Sequence, residues 1–163
     1  MVKKIKSSGI DLIVYDFDGV MTDNKVLILE DGHEGVFCNR ADGLAIQKIK
    51  ELGIPQVILS TENNRVVRNR AKKLNLHLFQ GIKDKKSALV MYCKRKNYRL
   101  KRIVYIGNDI NDLQAMKIIG YPIAPKDADT KVKDVAKVII DKNGGDGVIR
   151  EFFNQILFTR KEL

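Results

Sequence analysis

Short apolar runs rich in β-branched residues recur along the chain, each followed by a polar turn and a stretch with helical spacing. No other feature constrains the fold as strongly, because strands separated by helices must run parallel, with helices covering both faces of the sheet. The runs are Leu12–Tyr15, Gln56–Leu59, Arg102–Ile106 and Val138–Ile140. Helices are expected from Asp42, as N-cap, to about Leu52, with Gly53 as the stop, and over about Asn64–Leu74, Asp84–Lys96 and Asn111–Ile119. A short strand at Tyr121–Ile123, a short helix at about Thr130–Asp134 and a final helix from Gly147 to about Phe158 complete the reading. Val26–Leu29 and Val36–Cys38 flank the polar segment Glu30–Gly35, the pattern of a β-hairpin. At 163 residues, 44% apolar and 31% charged, with no linker or repeat, the chain is expected to form one domain over 1–163.

In parallel α/β sheets the chemistry collects beyond the carboxyl ends of the strands. Asp16-Phe17-Asp18-Gly19 follows the first run, Ser60-Thr61 the second, and Gly107-Asn108-Asp109-Ile110-Asn111-Asp112 the third. Carboxylates as close as Asp16 and Asp18 repel one another unless a cation or donors intervene, so one of them holds a proton or both face a metal. Hard oxygen ligands suit Mg2+. A calcium loop is disfavoured, because its closing glutamate would fall at Leu27. Lys85, in the first turn of its helix, is out of place against the helix dipole unless an anion lies nearby. Taken singly, each feature is also consistent with a plain role: an Asp-Gly turn, a Ser60 cap, a turn and cap at Asp109 and Asp112, a solvated Lys85. A phosphoacceptor receiver domain is disfavoured, since its acids would lie on different strands.

Thirty basic and twenty acidic residues leave a net charge of +10, which favours anionic ligands. The basic residues are dispersed over helix faces without interleaved aromatics, which argues against nucleic acid. No apolar run has the length of a membrane span and Met1–Ile5 lacks a signal core, so a cytoplasmic protein is expected. Cys38 and Cys93 are read as free thiols.

Asp16-x-Asp18-Gly19, Ser60, Lys85 and Gly107-Asn108-Asp109-x-x-Asp112, in that order, resemble the four motifs of the haloacid dehalogenase (HAD) superfamily of phosphatases. Gly144-Gly145-Asp146-Gly147-Val148-Ile149-Arg150-Glu151 resembles the tail signature of one branch. That branch holds 3-deoxy-octulosonate (KDO) 8-phosphate phosphatases, nonulosonate 9-phosphate phosphatases and phosphatase-like domains of some sialic acid cytidylyltransferases. The resemblance implies a Rossmann-like HAD fold with a projecting hairpin. It also implies an aspartyl-phosphate on Asp16, with Asp18 as acid and base and with Ser60 and Lys85 as phosphate clamp. Mg2+ would be held by Asp16, the Asp18 carbonyl and Asn108 or Asp109, with Gly19 and Asp112 in support. Asn108 departs from the pattern, which has an acid there.

The intervals around Ser60 are too short for a cap domain. The resemblance implies that a homotetramer closes the site instead, its hairpins packed together through residues such as Val26, Ile28, Val36 and Phe37 and each site covered by a neighbouring subunit. Glu62, Arg70 and Lys73 match positions of the nonulosonate 9-phosphate phosphatases, where KDO 8-phosphate phosphatases carry Arg in place of Glu62. Thr61 belongs to the same Ser60–Asn63 stretch, and Arg40 is a further candidate for a sugar acid carboxylate. A weakly active module serving a cytidylyltransferase is the reading from another class.

Overall fold

The computed structural model describes residues 4–158. In chain order the elements are β1 (Ile5–Lys6), β2 (Leu12–Tyr15), β3 (Leu27–Ile28), β4 (Glu34–Gly35), α1 (Arg40–Glu51), β5 (Gln56–Leu59), α2 (Arg65–Leu74), β6 (His77–Phe79) and α3 (Lys85–Lys96). They continue with β7 (Ile103–Ile106), α4 (Leu113–Met116), β8 (Tyr121–Pro125), α5 (Thr130–Val135), β9 (Val138–Ile140), α6 (Val148–Glu151) and β10 (Leu157–Phe158). A six-stranded sheet runs in the order β6-β5-β2-β7-β8-β9 with every pairing parallel. The chain builds outward from β2 to β6, then returns to the other side of β2 at β7. Strand order therefore reverses between β2 and β7, the place where such sheets open a crevice at their carboxyl edge.

The sheet is buried on both faces because its strands have no polar face to spare. Ile13 and Tyr15 point into one core with Val104, Ile106 and Ile58, under Ile46 and Ile49 of α1, Val67 of α2 and Ile149 of α6. Leu12, Val14, Ile103 and Tyr105 point into the other, under Leu89 of α3, Met116 of α4 and Val132 of α5. The period of two along each strand thus divides one run between two cores.

Several boundaries differ from expectation. Asn39 caps α1 by accepting from Ala41 N at 2.8 Å, whereas Asp42 lies buried in the first turn and accepts from Arg150 N at 2.9 Å. Asp42 is therefore a tertiary anchor for α6 rather than a cap. The helix expected over 111–119 shortens to α4, because the preceding loop is held by Asp112 instead of by helical hydrogen bonds. The final helix ends early: after α6 a π-helical turn spans Phe152–Ile156, and β10 then pairs with β1. Phe152, Ile156 and Leu157 are all buried, and the pairing of β10 with β1 carries Leu157 into the core. The hairpin pairs Leu27–Ile28 with Glu34–Gly35, so its second strand precedes Val36–Cys38.

The Gly144-Gly145 segment has a structural role. Gly144 lies against the Gly19 and Thr22 carbonyls so closely that a Cβ would collide with them. Gly145 N donates to Val20 O at 3.1 Å, and Gly144 N to Asp127 Oδ1 at 2.9 Å. The glycines let the tail brace the loop after β2 from behind.

Candidate active site

Asp16 directly follows β2, and its backbone N–H donates to Ile106 O at 2.9 Å, which ties the loop to β7. Its Oδ1 accepts from Phe17 N at 2.7 Å and from Lys85 Nζ at 2.8 Å. Lys85 opens α3 behind the Asp84 cap and is 1% exposed. Its ammonium also donates to Asp112 Oδ1 at 2.7 Å, so two buried anions answer the out-of-place cation. Asp112 Oδ1 accepts from the Tyr105 hydroxyl as well, at 2.7 Å, and its Oδ2 takes the N–H of Asn108 at 2.9 Å. These hydrogen bonds satisfy charges that burial would otherwise make very costly.

Burial works against the Lys85 ammonium, but Asp16 and Asp112 outweigh it and hold its pKa above the usual lysine value. Burial and repulsion from Asp112 raise the Asp16 pKa, while the Lys85 ammonium opposes them and favours the carboxylate. Burial also raises Asp18, with help from Glu62 and Glu34 and against Lys85. That shift favours the protonated form that a general acid needs. Tyr105 is pushed well above its ordinary value by burial and Asp112, so it stays a donor.

Asp16, Asp18, Ser60, Thr61, Glu62 and Asp109 line one cavity of about 170 Å3, joined by Asn24 and Asn111. Ser60 is 1% exposed, and its Oγ accepts from Glu62 N at 3.1 Å. Thr61 Oγ1 accepts from Asn111 Nδ2 at 2.9 Å, bridging the loops after β5 and β7. Asp109 is turned to Ile110 N at 2.7 Å. Arg40, Arg70 and Lys73 do not line the cavity: Arg70 donates to Asn39 O at 3.0 Å, and Arg40 and Lys73 are exposed on α1 and α2. A larger groove of about 780 Å3, between Phe79, Met91 and Tyr92, holds no acid.

Sequence reasoning passed over Asn24, Asn111 and Tyr105. Tyr105 sits on a strand whose pattern reads as core, and only its hydroxyl betrays the second role. The two asparagines carry no signal apart from their place in loops beside acids.

The donor set suits a hard divalent cation. The side-chain amide of Asn108 meets Asp16 Oδ2 at 3.1 Å and the Asp18 carbonyl at 2.8 Å, and hydrogen bonding is satisfied when its nitrogen faces them. With its oxygen facing them, as in this structure, three oxygens lie together, the ligand type of Mg2+. Gly19, at φ +81, leaves room for that amide, where a Cβ would collide with it. Among the described residues no group of three His, Cys, Asp or Glu could hold a metal. The set here consists of a carboxylate, a main-chain carbonyl and an amide, so it owes little to ionisable side chains.

A family model described as haloacid dehalogenase-like hydrolase matches residues 60–152. The chain belongs to the haloacid dehalogenase-like hydrolases. A solved structure from Streptomyces avermitilis MA-4680, assigned to the HAD family of hydrolases, is 40% identical and superposes with a TM-score of 0.90, covering 94% of each chain. The hydrolase is also similar, at 32% identity and a TM-score of 0.87, to 3-deoxy-D-manno-octulosonate 8-phosphate phosphatase from Moraxella catarrhalis, solved with magnesium, phosphate and KDO. That match covers 90% of this chain and 85% of the other. Among curated relatives, N-acylneuraminate cytidylyltransferase from Oncorhynchus mykiss is 26% identical over 96% of the chain. The chain spans only 37% of that relative's length. Among the described residues no helix is long and apolar enough to cross a membrane.

Proposed function

We propose that the chain, acting as one catalytic domain, is a magnesium-dependent phosphatase of a 2-keto-3-deoxy sugar acid phosphate of the nonulosonate 9-phosphate type. The observation that carries the phosphatase reading is the cavity where Asp16, Asp18 and Ser60 converge with Lys85 behind Asp16. Asp16 Oδ1, fixed by Phe17 N and Lys85, attacks phosphorus as the ester P–O bond breaks, and Asp18 gives its proton to the departing sugar oxygen. Asp18 then takes a proton from water as that water attacks the aspartyl-phosphate, releasing phosphate and restoring Asp16. Ser60 and Lys85 hold phosphoryl oxygens as charge redistributes. Asp16 Oδ2, the Asp18 carbonyl and Asn108 would hold Mg2+, which supplies charge neutralisation at the phosphoryl group.

The nine-carbon substrate is supported by Glu62, which lines the cavity beside Asp18, as the resemblance to the nonulosonate phosphatases implies. Arg40, Arg70 and Lys73 remain proposed carboxylate ligands that reach substrate across a subunit boundary. The second reading is KDO 8-phosphate, favoured by the likeness to the Moraxella enzyme solved with KDO. We further propose that the hairpin is covered by other copies in a tetramer, because Leu27, Ile28 and Phe37 are 54%, 68% and 73% exposed. Phosphate release from nonulosonate 9-phosphates and KDO 8-phosphate, with Mg2+ and with chelator, tests the reading. Faster turnover of the eight-carbon ester would transfer the assignment to KDO 8-phosphate, and no release from any ester would end it.

A further inference from the structure

Asn108 is held on every side except about its own amide. Its N–H donates to Asp112 Oδ2 at 2.9 Å, its carbonyl accepts from Asp129 N at 2.8 Å, and the residue is 7% exposed. What remains is exchange of the amide's two ends, which are nearly equal in size. In this structure the amide oxygen is inward, where it faces only acceptors while its nitrogen faces only donors. Exchanged so that nitrogen is inward, the amide would donate to Asp16 Oδ2 and to the Asp18 carbonyl, at 3.1 and 2.8 Å.

We propose that Asn108 is an amide gate on the metal position: its NH2 bridges Asp16 and the Asp18 carbonyl in the metal-free protein, and a divalent cation binds only as the amide turns to present Oδ1. The proposal rests on the magnesium reading above. Two consequences follow, and they run in opposite directions. The bridge stabilises the metal-free site, since it places donors between oxygens that would otherwise repel. The same bridge opposes the metal, which must displace a hydrogen bond to a carboxylate and another to a carbonyl. An aspartate at this position would have no gate, because both its ends are acceptors. Its metal-free site would be strained by repulsion that only the cation relieves. A purely structural role would give no such exchange, since loss of packing lowers stability and metal affinity together.

The test compares wild type, Asn108→Asp and Asn108→Ala by calorimetric titration with Mg2+ and Mn2+ and by thermal unfolding in chelator. Asn108→Asp is expected to bind metal about ten- to a hundredfold more tightly, since no hydrogen bond is displaced and a charged ligand replaces a neutral one, so the gate itself is read from the Asn108 NH2 signal. Without metal it should unfold at a lower temperature than wild type. Asn108→Ala should also lose metal-free stability, with no gain in affinity. In wild type, 1H–15N spectra should show the Asn108 side-chain NH2, identified by its absence in Asn108→Ala, protected from exchange without metal and shifted by Mg2+. Equal or weaker metal binding by Asn108→Asp with unchanged metal-free stability, or an unprotected NH2 in metal-free wild type, overturns the gate and leaves the magnesium reading standing. If none of the three proteins binds a divalent cation, the magnesium reading falls and the gate with it.

Discussion

At the carboxyl end of β2, Asp16, Lys85 and Asp112 are 4%, 1% and 0% exposed, and the ammonium meets each carboxylate within 2.8 Å. Close by, the hairpin leaves Ile28 68% and Phe37 73% exposed, and its two strands are two residues each. The two regions are near enough for Asp18 to feel the charge of Glu34 on β4. The difference shows where the fold finishes its own work. The acid–lysine cluster is completed by hydrogen bonds within one chain and must exist before any substrate arrives. An isolated two-stranded hairpin of this size is marginal in water, and in the assembly proposed above other copies would complete its geometry.

The largest effect is expected at Asp16. Asp16→Asn should lower phosphate release about a thousandfold or more, measured by steady-state kinetics, while the fold survives in circular dichroism. Lys85→Met removes the one cation between two buried acids, and chemical denaturation should show a loss of about 3–5 kcal/mol. A variant as stable as wild type would mean that the cluster is not built around Lys85.

Asp42 sharpens the contrast from within the buried region. Burial raises its pKa to about 6, and its Oδ2 has no hydrogen-bond partner. Because the folded pKa lies above the ordinary value of 3.8, the associated stability is full below that value and is lost as pH rises through about 6. Asp42→Asn keeps an acceptor for Arg150 N and should be more stable at neutral pH by at most about 3 kcal/mol, with a flatter stability profile between pH 4 and 6. The measurement is denaturant unfolding across that range.

On the exposed side, Ile28→Ser with Phe37→Ser should change the unfolding free energy of the isolated chain by no more than about 0.5 kcal/mol. The same pair should reduce assembly in analytical ultracentrifugation and lower kcat/KM. Unchanged mass and activity would leave the hairpin without the covering role proposed for it. The smallest effect is expected from Glu62→Gln. Removing that charge lowers the Asp18 pKa, so the alkaline limb of the pH–rate profile, where Asp18 must still hold its proton, should move to lower pH.

What could be read from sequence was whatever a local pattern dictates. Leu12–Tyr15 and Gln56–Leu59 are bounded by polar turns, and both strands have the expected ends. Asp84 before an apolar-periodic segment does cap α3. Lys85 announced itself by standing at the wrong end of a helix dipole. Asp42 misled for the opposite reason: an acid near a helix start looks local, yet its partner Arg150 is 108 positions away. The last helix failed likewise, because pairing with β1 and burial of Leu157 override helical propensity. Arg70 and Lys73 match positions of the resembled phosphatases and Arg40 is a further candidate, but the cavity of one chain contains none of the three. Charges on helix surfaces carry no information about which molecule they face.

In the proposed mechanism Asp16 accepts the phosphoryl group while the rest of its cluster is held ready. Rapid acid quench during turnover of a sugar acid phosphate, followed by proteolysis and mass spectrometry, tests this directly. A phosphoryl group on the peptide bearing Asp16, absent from Asp16→Asn, is the result predicted. Phosphate release with Asp16 never labelled, or with the label on Asp109, would contradict it.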